Sequence, residues 1–336
     1  MVISRTPFRV SFFGGGTDYP SWYQEHGGAV LATTIDKYCY LTCRYLPPFF
    51  PHRFRIVWSK IEVCQSIDEI LHPAVREALR YFGIDSGLSI HHEGDLPARS
   101  GIGSSSAFTV GIMHALYALQ GQMVSKLKLA RESIYLEQEI LKETVGSQDQ
   151  TSASYGGLNH ITFSQNGEIT VQTLTIKNER AQDLNDHLML FYTGIERTAA
   201  DIAQSYVPEI QSKSRQLNLI SEMVDEGIAI LNSDESLINF GKLLDDAWKA
   251  KRSMSVQVTN TVINQLYDSV ISAGAIGGKI TGAGGGGFFL VFAEPHNHKK
   301  IRGKLNKLIH VPFVFEYSGS QIIFFSDTKS AQNPEK

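Results

Sequence analysis

Residues 95–108, Asp-Leu-Pro-Ala-Arg-Ser-Gly-Ile-Gly-Ser-Ser-Ser-Ala-Phe, set two glycines and three serines directly against the start of an apolar repeat. Gly101 and Gly103 carry no Cβ, so their backbone can turn tightly and come close to phosphate oxygens. Ser104, Ser105 and Ser106 offer hydroxyls as well as N–H groups. After Phe108, the residues Ile112, Ala115, Leu116 and Leu119 recur at helical spacing, and Gly121 stands where a helix stop is expected. The loop amides would then lie at the positive end of a helix dipole, an arrangement suited to holding a polyphosphate. No Lys-Ser or Lys-Thr follows a glycine, as a P-loop requires, and Gly-Ile-Gly lacks the third glycine of a dinucleotide fingerprint. Taken alone, such a turn also serves plain connection and capping.

Two further glycine clusters flank it. Residues 5–18, RTPFRVSFFGGGTD, run from the alternating strand of Phe8, Val10 and Phe12 into three glycines with a carboxylate just beyond. Residues 278–292, GKITGAGGGGFFLVF, place four consecutive glycines ahead of an apolar strand. Glycine loses more backbone freedom on folding than any other residue, so such a run marks a place where something approaches the backbone. A flexible linker would be bordered by polar sequence, whereas this run leads straight into Phe288.

On these three segments, in this order, the chain resembles the GHMP kinases, the superfamily of galacto-, homoserine, mevalonate and phosphomevalonate kinases, over essentially its whole length. Within it, the triple glycine with Thr17-Asp18, residues 26–31, residues 146–150 with Gly156-Gly157, and Tyr192-Thr-Gly-Ile-Glu-Arg197 look similar to heptose 7-phosphate kinases and to the kinase part of fucokinases. The resemblance implies an α+β fold of two domains, with ATP and acceptor in the cleft between them. It implies ATP with Mg²⁺ as donor, a small-molecule sugar or sugar phosphate as acceptor, and transfer to the anomeric C1 hydroxyl. D-glycero-D-manno-heptose 7-phosphate is the expected acceptor. The alternatives are a plain sugar such as fucose or galactose, and a catalytically silent regulator that binds ATP and sugar. Against galactose, the first cluster reads Gly-Gly-Gly-Thr-Asp where galactokinases carry Gly-Glu-His-Thr-Asp.

Phosphoryl transfer needs positioning and charge neutralisation more than covalent help. By the resemblance, Pro97, Gly101, Ile102, Gly103, Ser104, Ser105 and Ser106 would cradle ATP, with the Ser105 hydroxyl on Mg²⁺ and Ser104 as its alternate. Mg²⁺ also favours a carboxylate. Glu137, twelve residues before Asp149 as in galactokinase-like members, is expected to supply it. Glu139 is the alternative, and because helical geometry sets the two about 200° apart, only one can face the cleft. Asp149 would accept or direct the proton of the acceptor hydroxyl, and Arg9 would hold that carboxylate ionised. Gly15, Gly16, Thr17 and Asp18 would meet sugar hydroxyls, although a turn Asp also satisfies its own backbone. Arg197, with Lys251 and Arg252, is the expected reader of an acceptor phosphate, and His52, Arg53, Arg55 and Lys60 form a second basic stretch that is the alternative, although such charge-rich segments are also solvated surface. Gly282, Gly284, Gly285 and Gly286 would support the cleft with their backbone, and Trp58 would flank the adenine or belong to the core.

The elements that must position these groups alternate in type. Apolar alternation marks strands in residues 38–45 and 55–58, a helix is expected over 73–82, and a second long helix over about 125–142. Residues 158–176 alternate again around Asn166-Gly167, a hairpin turn. Polar residues 177–186 read as the bridge between domains at 1–180 and 187–330. Beyond it come a strand at 188–192, helices within 199–231, 236–253 and 260–273, and strands near 278–292 and 312–325.

Composition agrees with a soluble enzyme: 336 residues, 42% hydrophobic and 19% charged, are enough for two modest cores. A net charge of −3 argues against nucleic acid as the main partner, no apolar run approaches a membrane span, and the first residues read as a strand instead of a leader. Cys39, Cys43 and Cys64 lack metal-site partners and CxxC spacing, so reduced thiols in a cytoplasm are expected.

Overall fold

The computed structural model describes residues 1–47, 49–195 and 199–326, without the side chains of 199–201. Its strands, in chain order, are β1 (Val2–Phe13), β2 (Gly28–Tyr45), β3 (Phe54–Val57), β4 (Ile61–Cys64), β5 (Leu88–Gly94), β6 (Leu158–Phe163), β7 (Ile169–Thr173), β8 (Leu188–Tyr192), β9 (Gly277–Ile280), β10 (Phe288–Phe292), β11 (Ile309–His310), β12 (Phe315–Glu316) and β13 (Gln321–Phe325). The helices are α1 (Pro20–His26), α2 (Pro73–Tyr81), α3 (Ser104–Leu119), α4 (Lys126–Tyr135), α5 (Gln148–Tyr155), α6 (Asn178–Asp186), α7 (Ala199–Gln204), α8 (Ser214–Asn232), α9 (Ile238–Arg252), α10 (Thr261–Ser272) and α11 (His298–Lys304).

A first sheet runs in the order β13-β1-β2-β5-β3-β4, with β6 and β12 also pairing β2 and β7 pairing β6. The length of β2 makes this possible: Gly28–Thr33 pair with β6, and Cys39–Tyr45 pair with β5. Thr6 to Phe13 of β1 are buried without alternation, so both faces of that stretch are covered. One cover is α3, apolar nearly all round as a core helix must be, with Ser4 Oγ donating to the Gly111 carbonyl at 2.9 Å. The other comes from the second half of the chain.

That half is built on the antiparallel sheet β11-β8-β10-β9. Phe240 of α9 packs edge-on against Phe12 and Phe13 of β1, with ring centroids 5.4 and 5.0 Å apart. One apolar core therefore runs from β1 through to Phe288, Leu290 and Phe292 of β10. Residues 177–186, read from their polarity as the bridge between domains, fold as α6, with Leu184 buried and Arg180 donating to the carbonyls of Ile230 and Glu235. The division at 180–187 is also crossed by the chain, because β12 and β13 return to pair with β2 and β1.

Candidate active site

Arg9, inside β1, is 4% exposed, and a guanidinium buried to that degree must be paired. Its Nε and Nη2 donate to the two carboxylate oxygens of Asp149, both at 2.7 Å, and its Nη1 donates to the Gly101 carbonyl at 2.8 Å. This fork joins β1, the serine loop and the first turn of α5 at one point. The Asp149 side chain keeps 24% exposure against 4% for Arg9, so the carboxylate is the member that faces solvent.

Gly103 closes on the pair: a Cβ there would lie 3.2 Å from Arg9 Cγ and 3.3 Å from Asp149 Oδ2. It is also the residue before α3, and no side chain caps that helix among the described residues, so the amides of Ser104, Ser105 and Ser106 are left for an anion. Within the loop, Ser100 Oγ donates to the Pro97 carbonyl at 2.6 Å and Arg99 N donates to Ser104 Oγ at 3.1 Å, contacts that shape the turn. Ile102 is fully buried, and its carbonyl accepts from Arg9 N at 3.1 Å.

The loop is held from behind by the third glycine cluster. Gly101 has φ +79°, and a Cβ on it would meet the Thr281 carbonyl oxygen at 2.6 Å; a Cβ on Gly282 would meet Gly101 Cα at 2.7 Å. Gly284 and Gly286 back onto the carbonyls of Val258 and Ile195, and Gly285 onto the Ile202 side chain. The cluster thus works through close backbone approach, and Phe288 N donates to the Ser100 carbonyl at 3.0 Å beside it.

Glu137 is fully buried where the chain leaves α4 through a single π-helical turn, Leu136–Ile140. Its Oε2 accepts from Ser106 Oγ at 2.9 Å and from Gln150 Nε2, while Oε1 has no partner among the described residues. Burial pushes its carboxyl up to about 7; the nearby Thr109 hydroxyl and the bonds from Gln150 and Ser106 oppose the rise, and the Glu143 charge adds to it. Glu139 turns the other way and pairs with exposed Lys142 at 2.9 Å. The expected juxtaposition of Ser105 with Glu137 is corrected in one respect: Ser105 is exposed on the first turn of α3, and the serine at the carboxylate is Ser106, a helical step of about 100° further on. An orphaned, buried carboxylate oxygen beside a serine hydroxyl at a helix N-terminus fits an Mg²⁺ ion.

The first cluster divides its labour. Thr17, expected at the sugar, is fully buried, and its hydroxyl lies 2.9 Å from the carbonyls of both Gly14 and Ala29, so it fastens the turn to β2. Asp18 is 2% exposed and accepts from Gly16 N at 2.9 Å and Gln148 N at 3.3 Å. Burial raises its pKa first, and the Asp149 charge adds to the rise. Tyr19 meets Tyr206 with ring centroids 6.3 Å apart, and burial raises the pKa of both phenols.

Of the basic residues, Arg197 lies outside the described residues. Arg252 sits over the rings of Trp248 and Tyr267, 5.7 and 5.3 Å from their centroids, with Nη1 donating to Asn264 Oδ1 at 3.4 Å. Lys279 donates to the carbonyls of Ser11 and Phe12 at 3.0 and 2.9 Å, pinning β9 to β1. Lys251, 7% exposed, reaches the Gly282 carbonyl. Its position had a sequence signal: it follows Leu244 and Trp248 on the buried stripe of α9, where a lysine is out of place. Gln150, Tyr19 and Tyr206 as site neighbours had no signal of comparable strength, and Ser106, read as part of the ATP cradle, had none that joined it to Glu137.

Trp58 is partly buried in an aromatic row. Its ring meets His72 edge-on at 5.0 Å, His72 stacks on Phe108 of α3 at 4.6 Å, and burial lowers the His72 pKa to about 4, leaving it neutral. A separate concavity of 430 Å³, lined by Tyr40, Arg44, His52, Arg55, His91 and Glu93, opens on the other face of the sheet and contains none of the residues above.

The family description "GHMP kinases N terminal domain" matches residues 69–157 and "GHMP kinases C terminal" matches residues 229–310, together just over half of the chain. A D-glycero-alpha-D-manno-heptose 7-phosphate kinase of Campylobacter jejuni is 28% identical over 91% of this chain and 93% of its own. An L-fucokinase/L-fucose-1-P guanylyltransferase of Bacteroides fragilis is 26% identical over 90% of this chain, which spans only 36% of that longer protein. Among solved structures, a D-glycero-D-manno-heptose 1-phosphate kinase of Bacteroides thetaiotaomicron superposes with a TM-score of 0.80 at 22% identity, covering 97% of this chain and all of the other. The chain belongs to the GHMP kinases. Among the described residues, no helix is long and apolar enough to cross a membrane.

Proposed function

We propose that this kinase is an ATP- and Mg²⁺-dependent sugar kinase that phosphorylates the anomeric C1 hydroxyl, with D-glycero-D-manno-heptose 7-phosphate as its acceptor. The observation that carries the reading is the solvent-facing Asp149 carboxylate, locked by Arg9 at the foot of an uncapped helix. The amides of residues 104–106 would bind the polyphosphate, with Trp58 and the neutral His72 beside the adenine. Mg²⁺, held by Glu137 with Ser106 or Ser105, would supply charge neutralisation on the phosphates. Arg9 uses three of its five N–H donors on protein and keeps two for the transferring group. Asp149 would orient the acceptor hydroxyl and accept its proton, an anomeric hydroxyl being the more acidic kind. Because the transition state of phosphoryl transfer is loose, orientation carries more of the acceleration than proton abstraction.

The choice of acceptor rests on the Campylobacter relative. The Bacteroides thetaiotaomicron structure carries the other phosphate position in its name, so transfer to C1 rests on the Campylobacter relative, whose named acceptor already bears its phosphate at position 7. A plain sugar is the second reading, favoured by the similarity to the fucokinase part of the Bacteroides fragilis protein. Purified enzyme with Mg·ATP, assayed on heptose 7-phosphate, heptose, mannose, fucose and galactose with product NMR to locate the new phosphate, tests both. A phosphate anywhere but C1, or equal kcat/KM on heptose with and without the 7-phosphate, overturns the respective part. Asp149→Asn should lower kcat by on the order of 10² while leaving ATP affinity nearly unchanged, which a titration with a non-hydrolysable ATP analogue would check.

A further inference from the structure

Three polar side chains converge beside Gly15. A Cβ built on it would lie 3.6 Å from Gln148 Nε2, 3.8 Å from Ser11 Oγ and 3.9 Å from Lys251 Nζ. Three elements thus send polar side chains to the space this glycine leaves open: β1, α5 and α9. They are underused. Ser11 and Gln148 are 6% and 9% exposed, and Ser11 Oγ and Gln148 Oε1 have no hydrogen-bond partner among the described residues. Lys251 makes one bond, to the Gly282 carbonyl, with an ammonium that has three donors. Buried polar groups are rarely left so, because each unmade bond costs the desolvation of its group.

We propose that Ser11, Gln148 and Lys251 form a specificity subsite that binds the sugar hydroxyl adjacent to the one phosphorylated. The mix of groups decides between a hydroxyl and an anion. Gln148 turns Nε2 towards Gly15 and leaves Oε1 unbonded, so a hydroxyl can accept from the donors gathered here and still give its own hydrogen to that oxygen, whereas a phosphate brings no hydrogen for it. Charge agrees: the carboxylates of Asp18 and Asp149 balance Arg9 and Lys251, and Lys279, whose amine burial pushes well down, is already committed to two carbonyls. Lys251 lies close enough to feel the charges of Asp149 and Asp18, so a group held beside it is near the carboxylate that would orient the reacting oxygen. Glycine at position 15 is what keeps the space open.

The subsite rests on the sugar-kinase reading, and the test separates the two. Gly15→Ala adds a methyl at ordinary contact distance from all three groups, so the fold should tolerate it; it should raise the acceptor KM at least tenfold with the ATP KM within twofold. Gln148→Leu removes the acceptor oxygen. Wild type should use heptose 7-phosphate at least tenfold better than its 2-deoxy analogue in kcat/KM, and Gln148→Leu should erase most of that ratio. The same ordering should appear, without ATP, in the thermal shift each sugar produces. A wild type equally efficient on both sugars, or a Gly15→Ala enzyme with unchanged acceptor KM, would sink the subsite and leave the kinase standing. No turnover of any sugar by wild type would remove the kinase reading itself.

Discussion

Glu137 shows how one residue can be arranged for a ligand at the expense of the fold. Its carboxyl is raised to about 7 from an ordinary 4.5, so the folded chain holds the proton more tightly than the unfolded one. Its contribution to stability is therefore complete below about pH 4.5 and is lost as pH rises through 7. Gln cannot ionise and escapes that loss. At pH 8 Glu137→Gln should be more stable than wild type by on the order of 3 kcal/mol, from a rise of 4.5 to about 7 at roughly 1.4 kcal/mol per pKa unit, and melt correspondingly higher, with the gap narrowing towards pH 5. Turnover with Mg·ATP should fall in the same variant. Parallel melting curves across pH 5–8 would mean that Glu137 is already ionised without a metal, and its role would have to be recast.

At the scale of elements, the serine loop depends on the third glycine cluster more than on its own residues. In Gly101→Ala the new methyl would meet the Thr281 carbonyl in a backbone with φ +79°, so the loop must move away from the segment that supports it. A loss of about 1–3 kcal/mol is expected, with a larger rise in KM for ATP than for acceptor. Denaturant midpoints and the two KM values decide it; a variant with normal ATP KM would detach the loop from nucleotide binding. The loop and α3 were legible from sequence because glycines, serines and an apolar repeat follow one another there. α5, which carries Asp149, was not: Gln148–Tyr155 is a run of small polar residues without periodicity, helical only because α3 and α4 pack around it. The choice between Glu137 and Glu139 was open for a related reason, since one π-helical turn sets which side of the chain faces inward. Arg9 and Asp149 were read as a pair only through the family resemblance, because 140 positions separate them and nothing local connects strand to helix.

At the scale of the whole molecule, the two sheets are stitched together twice, by the core around Phe12, Phe13 and Phe240 and by the return of the chain's end to β1. The order of elements gave the α+β class, but sequence could not reveal the return, because Gln321–Phe325 reads only as a strand and its partner is set by topology. Ending the chain at Ser320 would leave Val2 to Arg5 with an open edge on the β13 side. Such a variant should melt lower and aggregate at concentrations where the full chain stays dispersed, since unpaired edges template further pairing. Light scattering at matched concentrations reads the outcome, and an unchanged melting temperature would show that β13 is ornamental.

The same pairing has a consequence in time. Val2 faces Phe325 across the sheet, with about 300 residues between β1 and β13. At roughly 5–20 residues per second a ribosome needs about 15–60 s to make that stretch, so one flank of β1 stays open for most of the synthesis. β1 is thus made long before its pairing is completed, and a nascent chain in that interval is a natural client for whatever shields open strand edges in the cell.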